Sequence, residues 1–222
     1  MLQGLDVEPN PLAATVGREE DLRTVYEDKW LWIVDKPGGM PSVPGINTPL
    51  SVDEIARKRF PEGGEPLVAH RLDMATSGLL VVAKTSEIRS RMQRLFAAGE
   101  VEKTYLADLV KMPPADEGIV ELRLCPDFDN RPMQMVADEG KPAVTRYRVL
   151  GRNPDESVRV EFHPLTGRTH QLRVHSSHPR GLDAPIVGDS LYGTPADRLH
   201  LRAVRIRFVH PVTGENIDLK IE

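Results

Sequence analysis

From residue 101 to residue 163 the sequence reads as one strand after another, with no helical period between them. "VEKTYLADLV" alternates and places Val101, Lys103, Tyr105, Ala107 and Leu109 on one face. Further strands are expected at 119–124, 133–137, 143–150 and 157–163. Before this block, "TVYEDKWLWIVDKP" reads as two short strands around a Glu27–Asp28 turn, and Leu79–Ala83 as a buried strand. After it, "RAVRIRFVH" alternates again. Helical spacing is rarer. "SVDEIARKRF" opens with a capping box, Ser51 to Glu54, followed by Val52, Ile55, Ala56 and Phe60 at helical intervals. "SEIRSRMQRLFAAG" carries Ile88, Met92, Leu95 and Phe96 on one face, with Gly99 as its stop. "THQLRVHSSH" is compatible with the start of a third helix. Many strands interrupted by few helices predict an α+β fold: a mixed, largely antiparallel sheet with flanking helices.

At 222 residues the chain is long enough to bury roughly 70% of its unfolded surface, so it needs neither disulfide nor metal to hold together. Cys125 is its one cysteine, which excludes an intramolecular disulfide and a cysteine-based zinc site and fits a reducing, cytoplasmic setting. The start, "MLQGLDVEPNPLAATVGREEDLR", has neither the basic end nor the apolar run of a signal peptide, and no run approaches the roughly 20 apolar residues of a membrane span. Residues 1–23 are expected to be a loosely ordered acidic lead-in, and 24–222 a single domain. The absence of a heptad or a long apolar patch favours a monomer. Net charge is −4, but the charges are segregated. Residues 1–30 are acid-rich, whereas residues 168–207 hold Arg168, Arg173, Arg180, Arg198, Arg202, Arg205 and Arg207 against Asp183, Asp189 and Asp197. A local basic field matters to a polyanion more than the sum does, although arginines taken alone read as ordinary surface residues.

Chemistry-bearing side chains concentrate in two places. The turn "HRLDMATSG" sets Asp73 beside His70 and Arg71, with Thr76-Ser77-Gly78 as a tight turn whose glycine is free to take positive φ. "HPLTGRTHQLRVH" gathers His163, Arg168, His170, Arg173 and His175. The histidines fit a structural or RNA-contacting role better than metal ligation, because HExxH is absent and no acid lies between Glu161 and Asp183. The sequence has no P-loop, no GxGxxG and no GxSxG elbow. Glu62, Glu65 and Glu87 are the local acids that would pair with Asp73 in a glycosidase-type mechanism, and all have surface-like settings. What remains is one carboxylate among cations. An arginine partner would keep it ionised, which suits a nucleophile or an electrostatic stabiliser and not a general acid.

"HRLDMATSGLLVVAK" resembles the signature of the RluA family of pseudouridine synthases. "WIVDKPGGMPSVPG", "EKTYLA", "GKPAVTRYRVL", "PLTGRTHQLRVH", "PIVGDSLYG" and "HPVTGE" resemble that family's other motifs in the family's order, from about residue 25 to 215. "LCPDFDNRPMQMV" is closer to the short, dual-specificity branch than to the larger rRNA-only members, and too few residues precede the first motif for their N-terminal S4 domain. The segment "HSSHPRGLDAPIVGD" departs from the pattern by a few extra residues. The resemblance implies a pseudouridine-synthase fold with a central RNA-binding cleft, and an isomerase that turns uridine into pseudouridine in 23S rRNA, tRNA or both. It implies no cofactor, metal, DNA or membrane partner. By position, Asp73 matches the catalytic aspartate, Tyr105 the active-site tyrosine, and Arg173 the basic residue that pairs with the aspartate. Arg71, His70, Arg168 and His170 match substrate-pocket residues. Two alternatives stay open: a catalytically inactive RNA-binding protein on the same fold, and an enzyme acting on free nucleosides. Without the ordered motifs, Asp73 with Arg71 reads as a structural pair, Tyr105 as a half-buried strand aromatic, and Arg173 as a surface residue.

Overall fold

A computed structural model describes residues 18–45, 50–64 and 67–222. Ten strands and three helices form there in the order β1 (Arg23–Glu27), β2 (Leu31–Lys36), α1 (Val52–Arg59), β3 (Ser77–Ala83), α2 (Ser86–Ala98), β4 (Glu102–Leu109), β5 (Glu117–Pro126), β6 (Gln134–Val136), β7 (Lys141–Arg152), β8 (Val158–Pro164), α3 (Gln171–Ser177), β9 (Leu201–Val209) and β10 (Asn216–Lys220). Residues 1–17 of the expected lead-in lie outside the described residues. Its last residues are structured: Glu19–Asp21 form a 3-10 turn, Leu22 is buried, and β1 begins at Arg23.

The strands make one sheet in the order β1-β2-β3-β9-β4-β8-β7-β5-β6, with β10 paired to β9. Every pairing is antiparallel except β3 with β9, a short parallel contact of Ser77 with Arg202 and Gly78 with Ala203. Gly78 has φ +110°, and a Cβ there would lie 2.2 Å from the Ala203 carbonyl oxygen, so only glycine allows this approach. The turn expected at Thr76-Ser77-Gly78 lies earlier in the chain, at residues 73–76. It closes at Thr76, whose N–H donates to the Asp73 carbonyl at 3.1 Å, and Ser77 already belongs to the strand.

Either side of this seam the sheet is built differently. On β2 and β3, Leu31, Ile33, Leu79 and Val81 pack with Ile88 and Met92 of α2, while Trp32, Val34, Leu80 and Val82 pack with Val52, Ile55 and Ala56 of α1. Burial on both faces explains why "GLLVVA" is continuously apolar. The capping box at Ser51 forms as expected, and Gly99 ends α2 in the left-handed region. Beyond β4, strands β5 and β7 cover one face only, with Val120, Leu122, Leu124 and Ala143 packed under Leu172 and Val174 of α3. Their other face is open to solvent, which explains the alternation seen there. β10, unpredicted, is a short edge strand whose apolar content is only Ile217 and Leu219.

Candidate active site

A cleft of about 1170 Å³ opens at the seam. One wall is the turn that leads into β3, with Arg71, Asp73 and Thr76. The floor includes Lys103 and Tyr105 of β4, and the facing wall includes Arg146 of β7, His163 of β8, the loop 164–170, and Arg173 of α3. Between Thr104 and Tyr105 the β4–β9 register slips by one residue, a bulge of the kind that turns a side chain at a functional site.

Asp73 is half-buried. Its carboxylate accepts no hydrogen bond and forms no ion pair with a described residue. The backbone around it is firmly held. Lys36, fully buried at the end of β2, donates to the carbonyls of Pro37, Met40 and Met74 at 2.9, 2.7 and 3.1 Å. Three carbonyls occupy all three ammonium protons, clamping the Pro37–Gly45 loop to the Asp73 turn. Burial pushes the Lys36 ammonium down to about 7, and the Asp73 charge opposes that. Ser42 Oγ reinforces the clamp. It donates to the Leu72 carbonyl at 2.7 Å and accepts the Leu72 N–H at 3.0 Å. Lys36 and Ser42 were not foreseen; a charged residue at a strand end reads as exposed until the loop carbonyls that enclose it are placed.

Burial, then the Asp73 charge, pushes the Tyr105 phenol well above its ordinary range, so it stays protonated. Arg173 is buried on α3, but it does not make the expected ion pair with Asp73. Its Nε and Nη2 donate to Asp189 at 2.9 and 2.6 Å, and Asp73 is felt only through space. The reason lies in the chain after α3. The 186–193 turn brings Asp189 under the helix, where Asp189 Oδ1 also accepts the N–H groups of Leu191 and Tyr192. Tyr192 completes the unit, its ring 5.3 Å from the Arg173 guanidinium and its hydroxyl 2.9 Å from His170 Nδ1.

The other predicted residues divide. His170 is buried in the cleft wall, and Arg71 stands exposed at its mouth. Arg168 is exposed and anchored to the Pro142 carbonyl at 3.0 Å. His70 has a structural bond: its Nε2 accepts the Val81 N–H at 3.1 Å, and its ring lies 4.4 Å from that of Phe96. Burial, with Lys103 nearby, pushes His70 down to about 3, so it carries no charge. His175, on α3 itself, is wholly buried. The basic C-terminal third is less available than its composition predicts. Arg173, Arg202, Arg205 and Arg207 pair with Asp189, Asp35, Asp218 and Glu102. The cations facing the cleft include Lys103 and Arg146, which lie outside that segment. Alternation along β4 pointed to Lys103; nothing local marked Arg146.

The cleft therefore holds one inward carboxylate. Its other acid, Glu102, is exposed and paired with Arg207 at 3.3 Å. A lone carboxylate beside a protonated phenol, ringed by cations, suits a polyanionic substrate with one reacting centre.

Comparisons with known proteins agree. Residues 30–178 match the family described as RNA pseudouridylate synthase. The chain is 40% identical over 204 residues to the dual-specificity RNA pseudouridine synthase RluA of Yersinia pestis, covering 89% of this chain and 97% of that protein. It is 39% identical over 211 residues to RluA of Escherichia coli strain K12, covering 91% and 94%. Among solved structures, human RNA pseudouridylate synthase domain containing 1 superposes with a TM-score of 0.77 at 28% identity, covering 93% of this chain and 85% of that one. Human RNA pseudouridylate synthase domain containing 4 gives 0.71 at 27%, covering 90% and 87%.

Proposed function

The chain belongs to the RluA family of pseudouridine synthases, isomerases that convert uridine to pseudouridine in RNA, and on that premise we propose that Asp73 is the carboxylate that reacts with the target nucleotide. The observation that carries this is the open Asp73 carboxylate in a rigid turn, the only acid of the cleft without a protein partner among the described residues.

The target uridine leaves its stack to reach Asp73, at a cost of a few kcal/mol that is smallest in loops. Tyr105 stacks on the uracil, which returns roughly 1–3 kcal/mol. The N1–C1′ bond then breaks, the uracil turns within the cleft, C5 bonds to C1′, the C5 proton leaves to solvent, and N1 takes up a proton, so that the product is an isomer of the substrate. Arg173, held by Asp189, supplies positive charge opposite Asp73, and Arg71 at the mouth enters the space the base vacates. Arg168 and His170 line the nucleotide pocket. His70, neutral and bonded to the backbone, shapes it. The substrates on this reading are stem-loops of 23S rRNA and tRNA, in line with the dual specificity of the named relatives. Residues 24–222 act as one catalytic domain, a reading supported by the single sheet of the described residues; the chain acts as a monomer, and in the cytoplasm, a setting that suits its one free cysteine, Cys125.

The test is tritium release from RNA carrying [5-³H]uridine, with 23S rRNA and total tRNA assayed separately. The parent should release tritium from both, and Asp73→Asn should fall by about 10³-fold or more. Release by Asp73→Asn at the parent's rate would refute the assignment, and release from one RNA only would refute dual specificity.

A further inference from the structure

His170 is an odd residue in this fold. It precedes α3 with φ 53° and ψ 20°, a left-handed conformation that costs a non-glycine residue about 1 kcal/mol or more. Its side chain caps nothing on the helix it precedes. It is 8% exposed, and its ring stands edge-on to Tyr192 at a centroid distance of 5.6 Å. The strained backbone thus delivers an imidazole to the cleft wall, and one hydroxyl holds it there.

The direction of that hydrogen bond follows from the other partner of the hydroxyl. Tyr192 Oη already accepts the backbone N–H of Gln134 at 2.7 Å. Among the described residues its only other hydrogen-bond partner is His170 Nδ1 at 2.9 Å. If Nδ1 carried the proton, two N–H donors would converge on Oη and the phenolic proton would have no acceptor among the described residues. If Nδ1 is bare, the three groups that meet at Oη are all satisfied and only Nε2–H is left free, toward the cleft: Gln134 N–H donates to Oη, and Oη–H donates to Nδ1. Burial raises the Tyr192 pKa, which keeps that proton in place. Burial also lowers the His170 pKa, against the pull of Asp73, which works in the same direction as a bare Nδ1. The charged groups around it are Asp73 and Arg71 of the turn before β3, Arg173 of α3, and Asp189 of the 186–193 turn.

We propose that Tyr192 is a positioning residue that fixes His170 as its Nε2–H tautomer, making His170 a hydrogen-bond donor to the nucleotide in the cleft and not a proton acceptor. The tautomer of a site histidine is set by the bond its other nitrogen makes, and here that bond comes from the "GDSLYG" turn, which also holds Arg173 through Asp189. One turn thereby orients two cleft side chains that face Asp73. The role of the donor rests on the synthase reading above; the tautomer does not.

Nitrogen-15 NMR of the histidine rings in the RNA-free protein tests the tautomer, and single-turnover tritium release tests its use. The parent should show His170 with Nδ1 bare and Nε2 protonated. Tyr192→Phe keeps the ring against Arg173 but should mix the tautomers and lower the rate of the chemical step about tenfold, with RNA affinity within about twofold of the parent. A parent His170 protonated on Nδ1 would overturn the proposal. So would a tautomer change without a rate change, or a rate change without a tautomer change. Should Tyr192→Phe fail to fold, His170→Gln and His170→Asn decide. Glutamine places a donor near the Nε2 position and should outperform asparagine, which places one near Nδ1; equal rates would overturn the proposal. A parent with the Nε2–H tautomer but no tritium release would count against the synthase reading alone.

Discussion

Asp108 and Asp73 are two carboxylates in basic surroundings, and the protein treats them in opposite ways. Asp108, on β4, accepts from Arg159 Nε and Nη2 at 2.8 and 2.9 Å, from Asn153 Nδ2 at 2.7 Å, and lies 3.2 Å from His200 Nδ1. Its oxygens are saturated, and nothing is left with which to react. Asp73, across the seam, is more exposed than Asp108, and no described side chain bonds its carboxylate. The cation nearest in function, Arg173, is committed to a third carboxylate, Asp189. A basic neighbourhood alone therefore does not mark a reactive acid. The mark is a carboxylate left open while the backbone beneath it is clamped and the cations around it are held elsewhere.

The largest expected effect on stability lies at that third carboxylate. Asp189→Asn leaves the Arg173 guanidinium buried without its counter-charge and should destabilise the fold by about 3–5 kcal/mol in urea unfolding. A loss below about 1 kcal/mol would mean that Arg173 is free to turn to Asp73, and would erase the division of labour drawn above. Next comes the seam. Gly78→Ala forces a Cβ to within 2.2 Å of the Ala203 oxygen, at a φ that alanine avoids. It should cost more than about 2 kcal/mol and lower turnover with it, because the Asp73 turn is continuous with β3.

Asp108 itself gives a smaller, pH-dependent effect. Burial raises its pKa, but the bonds from Arg159, Asn153 and His200 outweigh that and bring it from 3.8 to about 2. A carboxyl depressed in the folded state stabilises fully above its unfolded pKa, and that contribution is lost as pH falls from about 5 toward 2. Arg159 is nearly half exposed, so the contribution is discounted to about 1–2 kcal/mol. Acid titration of stability should be shallower over that window in Asp108→Asn than in the parent; equal slopes would remove Asp108 as a structural anchor. Smallest is a control away from both acids. Ser51→Ala breaks the α1 capping box and should cost about 1 kcal/mol without changing turnover.

Much of this was legible in the sequence because it is local. The Ser51–Glu54 box, the stop at Gly99 and the positive φ of Gly78 depend on neighbouring residues. Strand faces followed from the alternation of "VEKTYLADLV", and placed Lys103 and Tyr105 together in the cleft. What the sequence hid depends on long-range closure. Arg173 meets Asp189 sixteen residues on, through a turn that no periodicity predicts. Lys36 is buried by carbonyls from the Pro37–Gly45 loop and from Met74. Four of the seven C-terminal arginines looked available and instead found carboxylates on other strands and turns. β10 escaped because two apolar residues at a sheet edge make no pattern.

The most direct measurement compares Asp73→Asn with Asp108→Asn, reading urea stability and tritium release from [5-³H]uridine RNA on the same preparations. The account predicts a crossing pattern. Asp73→Asn keeps its stability within about 1 kcal/mol and loses turnover, whereas Asp108→Asn loses about 1–2 kcal/mol and turns over at close to the parent's rate. A stable Asp108→Asn without activity, or an Asp73→Asn that unfolds early yet still releases tritium when folded, would contradict it.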